Sequence, residues 1–201
     1  MITSVQTKQV RDAILDSTDR LLAKYGYKKM TIEDLAIDVG IGKGGIYLHF
    51  SSKEEIVLSH IDRIVDRLKK RLLVIASENM SPATRIQEML VTRVLFRFDS
   101  VQHYTRSLDD LLSAIRPQLL LRRKKHFQDE ARIFSEVLEI GYRSEDFIAC
   151  DSARTAEMLL TATNSLLPYS LSTKELRERK EIKEKVSRLA ALLLNGILSR
   201  S

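Results

Sequence analysis

Apolar side chains return at helical spacing along almost the whole chain, and no segment shows the two-residue alternation of a half-buried strand. Ile14, Leu21, Leu22 and Tyr25 mark one face of a first helix, with Gly26 placed as its C-cap. Thr31 precedes Ile32, Leu35, Ala36 and Val39, and Asp34 stands three residues after the threonine. That spacing predicts a capped short second helix stopping at Gly40. A third short helix is expected from about Lys43 to His49. Ser52 and Glu55 then open a long fourth helix along Ile56, Ile61, Ile64, Val65, Leu68, Leu72 and Ile75.

The pattern continues to the end. Ser81-Pro82 reads as an N-cap with proline at the first helical position, before Ile86, Met89, Leu90 and Val94. Leu108, Leu111, Leu112 and Ile115 mark another helix. Pro117 is expected to start a separate long one through Phe127, Phe134, Val137 and Leu138, closed by Gly141. Asp151 caps a helix through Ala156, Leu159, Leu160 and Thr163, and Pro168 ends or kinks it. Ser172 with Glu175 opens the last, carrying Ile182, Val186, Leu189, Leu193 and Ile197. Only seven glycines and three prolines occur in 201 residues, too few for the many turns of a sandwich or barrel. The fold class is therefore all-α, with about nine helices and no internal repeat.

Composition removes several function classes. Cys150 is the one cysteine, so neither an intrachain disulfide nor a thiolate zinc cluster can form, and it reads as a small buried hydrophobe. His49, His60, His103 and His126 are scattered, without a metal-ligand spacing. No nucleophile motif appears. The expectation is no enzyme, no catalytic residue, no cofactor and no metal. The polar start, Met1 to Lys8, is no signal peptide, and no apolar run reaches a bilayer's width, so a cytoplasmic protein with no membrane partner is expected. The net charge of +6 invites a nucleic-acid reading, but Met1 to Lys53 carries eight basic residues against six acidic ones. The densest basic run, Arg122-Arg123-Lys124-Lys125, lies far downstream and reads as solvated. Charge alone decides nothing.

Four of the seven glycines fall in Gly40-Ile41-Gly42-Lys43-Gly44-Gly45. A phosphate-cradling loop would need a preceding strand, whereas Thr31 to Val39 has helical periodicity. Lys43 is also followed by Gly44 rather than Ser or Thr, against the P-loop pattern. The surviving reading is a turn between two short helices. Gly40 supplies a positive φ, Ile41 plugs the corner, and Ile46 and Phe50 anchor the third helix. Lys43, Gly44, Tyr47 and Leu48 then lie on its other side. A glycine inside a helix costs roughly 1 kcal/mol against alanine, so Gly44 and Gly45 make sense where that helix is approached closely.

Residues 7 to 58 resemble the DNA-binding domain of the tetracycline-repressor (TetR) family of transcription regulators. The resemblance rests on Gly26-Tyr27, Thr31-Ile32-Glu33-Asp34-Leu35-Ala36 and Gly40-Ile41, and continues through Lys43-Gly44, Ile46-Tyr47, Phe50 and Ser52-Lys53-Glu54-Glu55. The rest of the chain is similar to that family only in length and helical layout. The resemblance implies a three-helix helix-turn-helix domain over residues 1–52 and a helical ligand-binding and dimerisation domain over 53–201. It implies that Thr31, Tyr47 and Lys53 meet phosphates, while Lys43 reads a base edge in the major groove. Leu48 would touch a thymine methyl, His49 a phosphate or the groove wall, and Gly44 and Gly45 would permit close approach. The sequence departs from the pattern at Gly42, where Ser or Thr usually caps the recognition helix, and at Gly45, where Thr, Ser or Ala is common.

For the body, the resemblance implies a homodimer through the last two helices. Ala153, Ala156, Leu160, Thr163 and Leu167 would face Leu189, Leu193 and Ile197 in a four-helix bundle across a two-fold axis. It also implies a small-molecule effector that releases a repressor from palindromic double-stranded DNA. Met89, Arg93, Phe96, His103, Tyr104, Phe127, Phe134 and Met158 are candidate pocket residues by type and location. A DNA-binding helix-turn-helix protein without an effector is the alternative that the residues leave open.

Overall fold

The computed structural model describes residues 4–148, 151–172 and 174–198; Cys150, expected to be buried, lies outside them. The fold is all-α. Eight α-helices follow in chain order: α1 (Ser4–Lys29), α2 (Ile32–Val39), α3 (Lys43–Tyr47), α4 (Lys53–Ser77), α5 (Pro82–Ser100), α6 (Leu108–Arg143), α7 (Ser152–Thr163) and α8 (Arg179–Asn195). Short 3-10 turns fill several connections, at Gln102–Ser107, Asn164–Leu166, Pro168–Ser170 and Glu175–Arg177. Among the described residues the extended pairing is a single antiparallel bridge between Phe147 and Leu198.

Two compact units emerge. The first comprises Met1–Ile64 with His103–Leu121, the second Val65–Gln102 with Arg122–Ser201. Both α4 and α6 thus contribute residues to each unit. In the first, Ile14, Leu22, Met30, Leu35, Ile46 and Ile56 are fully buried, which is why the spacing of the first four helices was so legible. Gly26 interrupts α1 with φ 72° and ψ 168°, a conformation essentially reserved for glycine. A Cβ there would also lie 2.9 Å from the Cβ of Ser107.

The core of the second unit gathers Leu68, Leu72 and Ile75 of α4 with Ile86, Met89 and Leu90 of α5. Phe134, Val137 and Leu138 of α6, Ala156, Leu159 and Leu160 of α7 and Leu194 of α8 complete it. Here three sequence expectations change. Pro117 does not start a helix: α6 runs unbroken through it for 36 residues. Asp109 and Asp110 in the first turn and a stripe of buried residues (Leu108, Leu111, Ile115) carry the helix past the lost hydrogen bond. Gly141 does not close α6 either. It sits two residues before the end, where a Cβ would come within 2.2 Å of the Phe147 ring, so its role is close packing. The Ser172–Glu175 box forms, with Ser172 N–H donating to Glu175 Oε2 at 2.9 Å, but it caps a 3-10 turn, and α8 begins only at Arg179.

The expected dimer stripe is also redistributed. Ala156, Leu160, Thr163 and Leu167 are buried within this chain, because α7 turns that face onto its own core. The large apolar side chains that α7 and α8 leave in solvent are Met158, 67% exposed, and Leu192, 70% exposed.

Candidate nucleic-acid interface

The α2–turn–α3 segment is built by local chemistry. Thr31 Oγ1 accepts from the backbone N–H of Asp34 at 3.1 Å, and the Asp34 carboxylate accepts from Thr31 N–H at 2.9 Å. The Thr31 hydroxyl also donates to that carboxylate at 2.7 Å. These bonds hold the Asp34 carboxyl below the ordinary carboxylate range, so the cap stays intact at neutral pH. At the other end, Gly40 adopts φ 76°, ψ 33°, and its N–H and that of Ile41 return to carbonyls at the end of α2. Ile46 and Phe50 are buried as anchors.

What α3 then presents is an exposed face. Lys43 and Gly44 are exposed, Tyr47 is half-exposed and Leu48 is 79% exposed. A Cβ on Gly44 would meet no atom of the chain within 4 Å, whereas one on Gly45 would come 3.3 Å from Ile41 Cδ1. Gly45 is therefore accounted for by the turn itself, and Gly44 is not. Thr31 is exposed at the start of α2, a position where a helix's first N–H groups have no partner within the helix. Lys43 Nζ reaches back to Glu33 Oε2 at 3.0 Å.

Two candidates sit differently from the rest. His49 is half-buried, and its carbonyl accepts from Arg11 Nη1 at 3.2 Å. Lys53 turns inward: Nζ donates to the carbonyls of Tyr27 at 2.7 Å and Met30 at 2.9 Å, over the Tyr27 ring at 4.3 Å. Burial lowers its pKa, but the ammonium remains charged at neutral pH. Tyr27 in turn donates its hydroxyl to Glu54 Oε1 at 2.8 Å. The pair of residues opening α4 thus locks the chain between α1 and α2.

Sequence reasoning missed Arg11. Its guanidinium stacks on Phe50 at 4.3 Å and donates to Ser59 Oγ at 3.1 Å, fixing the end of α3 against α4. A lone arginine on a charged helix gives no signal of that role.

The model of the tetR family of bacterial regulatory proteins matches residues 14–59, the stretch that contains this helix pair and its anchors. Over that stretch the chain matches the TetR family. It is 37% identical over 84 residues to an uncharacterised helix-turn-helix regulator from Lactococcus lactis subsp. lactis, covering 41% of this chain and 43% of that one. Against the biofilm operon negative regulator IcaR of Staphylococcus epidermidis it is 27% identical over 147 residues, 69% of this chain and 76% of IcaR. The chain's matches span less than half the length of the first curated relatives. A transcriptional regulator from Cytophaga hutchinsonii shares the fold with a TM-score of 0.77 at 17% identity, over 94% of this chain and 98% of that one. The curated relatives matched over this stretch are transcriptional regulators.

The pocket candidates are not all brought together. Met89, Arg93 and Phe134 are buried in the second unit, with Phe96 and Phe127 half-buried there. His103 and Tyr104 belong to the first unit, His103 exposed and Tyr104 buried. Met158 is in solvent.

Proposed function

We propose that the chain is a homodimeric repressor that holds a palindromic operator through α3 and leaves it when a small molecule binds the second unit. The observation that carries this reading is the α3 face, where Lys43, Gly44, Tyr47 and Leu48 lie exposed beside a glycine that nothing within the chain requires. Such a face lets the helix backbone come close to a groove.

In this reading residues 1–52 form the head and 53–201 the body. Lys43 exchanges Glu33 for the acceptors of a guanine edge, O6 and N7. Leu48 supplies apolar contact to a thymine methyl, and the Tyr47 hydroxyl donates to a phosphate. Thr31, exposed at the start of α2, presents its hydroxyl and the positive end of that helix to a second phosphate. His49 and Lys53 position the head in this reading, since the His49 carbonyl is held by Arg11 and Lys53 ties α4 to the junction of α1 and α2. A ligand with unequal affinity for bodies in two head spacings shifts operator binding by that difference. Helix α4, continuous from Lys53 to Ser77, is the element through which the shift passes.

Enrichment of randomised duplexes on the purified protein tests the reading. Retained sequences sharing a palindrome are expected, and Lys43→Ala should relax preference at one base pair in each half-site. Uniform, salt-sensitive retention of all sequences would overturn it.

A further inference from the structure

The second unit contains a charge cluster that stability does not explain. Arg93 of α5 and Glu130 of α6 are buried, and Arg93 Nε donates to Glu130 Oε2 at 2.7 Å. Both terminal nitrogens of Arg93 are engaged as well, on Thr163 Oγ1 at 3.0 Å, the Leu160 carbonyl at 3.3 Å and Asn164 Oδ1 at 2.9 Å. Arg97, one turn along α5, donates to the other oxygen of the same carboxylate. Two guanidiniums therefore share one carboxylate, and the second of them is 15% exposed. Replacing a buried ion pair by apolar packing is often neutral or favourable, so a cluster with surplus positive charge calls for another reason.

Arg123 of α6 stacks over the ring of Tyr169 at 4.3 Å. The strongest charges acting on the Tyr169 hydroxyl are those of Arg123, Arg93 and Arg97, opposed by Glu130. The fields of three guanidiniums and one carboxylate thus reach the hydroxyl of Tyr169, a residue that is 36% exposed. Burial outweighs the arginines and raises the Tyr169 pKa, which keeps the phenol a neutral donor. Phe127 of α6 lies one turn from both Arg123 and Glu130, and Phe96 adjoins Arg97 on α5; both phenylalanines are half-buried.

We infer that Arg97, Arg123 and Tyr169 form a seat for the oxyanion of an organic ligand, a carboxylate or a phosphate, whose apolar part rests beside Phe96 and Phe127. Arg93 and Glu130 are the floor that fixes Arg97 in position. A guanidinium offers two parallel donors that match either oxyanion, and Tyr169 adds a third. The ligand's charge completes the balance that Glu130 leaves unfinished. This inference gives the effector of the proposed regulator a chemical class and rests on that reading for its purpose.

Calorimetric titration of the full chain with decanoate, decyl phosphate and decanol tests it, with operator binding of the ligand-free protein measured separately. Saturable binding of decanoate or decyl phosphate is expected, the tighter of the two identifying the head group, with decanol weaker by about tenfold or more. Arg97→Gln and Arg123→Gln should each weaken the anion to a similar degree, while Lys24→Gln on α1 should leave it unchanged. Arg97→Gln also disturbs the buried pair, so Arg123→Gln decides if the former does not fold. Equal binding of decanol, no binding of either anion, or full affinity in Arg123→Gln overturns the seat. Operator binding without anion binding would sink this inference and spare the regulator; anion binding without operator binding would do the reverse.

Discussion

Lys53 and Gly44 show how far one residue's role depends on what surrounds it. In the sequence Lys53 is a lone lysine at a helix start, and the family resemblance makes it a phosphate contact. In the fold its ammonium satisfies two carbonyls at the junction of α1 and α2. A charged hydrogen bond of that kind is worth about 1.5–3 kcal/mol, and leaving both carbonyls unmet adds to the loss. Lys53→Ala is therefore expected to destabilise the chain by about 1–3 kcal/mol in urea unfolding. Unchanged stability with a salt slope of DNA binding reduced by about one would instead show that the ammonium leaves the carbonyls for a phosphate. Gly44 behaves in the opposite sense. A Cβ there meets nothing in the chain, and alanine favours helix over glycine by roughly 1 kcal/mol. Gly44→Ala should hold or raise the melting temperature while lowering operator affinity. Loss of stability with affinity intact would mean that Gly44 serves the fold alone.

At the scale of elements, legibility followed the range of the interactions. The Thr31–Asp34 box, the Gly40 stop and the Ser81-Pro82 start involve residues within a few positions of one another, and sequence spacing displays them directly. Gly141 and Pro117 were misread because what decides them is distant. The glycine answers to the Phe147 ring, and the proline is carried by the burial of Leu111 and Ile115 on the same helix. The same reason hid the Arg11 stack on Phe50 and the Arg93–Glu130 pair, whose partners no periodicity connects. The α3 face was readable, since one helical turn fixes which of its residues oppose Ile46. Pro117 gives a prediction of its own. It is exposed and lies inside α6, where it removes one backbone hydrogen bond. Pro117→Ala should stabilise the chain by about 1–3 kcal/mol, read as a higher urea midpoint at unchanged slope. A lower midpoint would show that the stiffened unfolded chain outweighs the helix strain.

For the whole molecule, the proposed function turns on pairing, because one head of this size would read too short a stretch of DNA for a unique site. Two heads related by a two-fold axis read a palindrome, and the spacing of half-sites reports the geometry of the dimer. The side of α7 first expected to make that contact is occupied by the chain's own core. The proposed dimer therefore needs the faces that carry Met158 and Leu192, each more than two-thirds in solvent. Large apolar side chains exposed to that degree on two successive helices suit an interface better than a free surface. Met158→Glu combined with Leu192→Glu should leave helicity and melting cooperativity in place, since neither side chain belongs to the core. Sedimentation should show monomers, and operator affinity should fall toward that of an isolated half-site. A stable dimer in the double variant would place the two-fold axis on another face. If monomers formed yet the palindrome were still bound at full affinity, pairing would arise on the DNA, and effector control would have to act on each head separately.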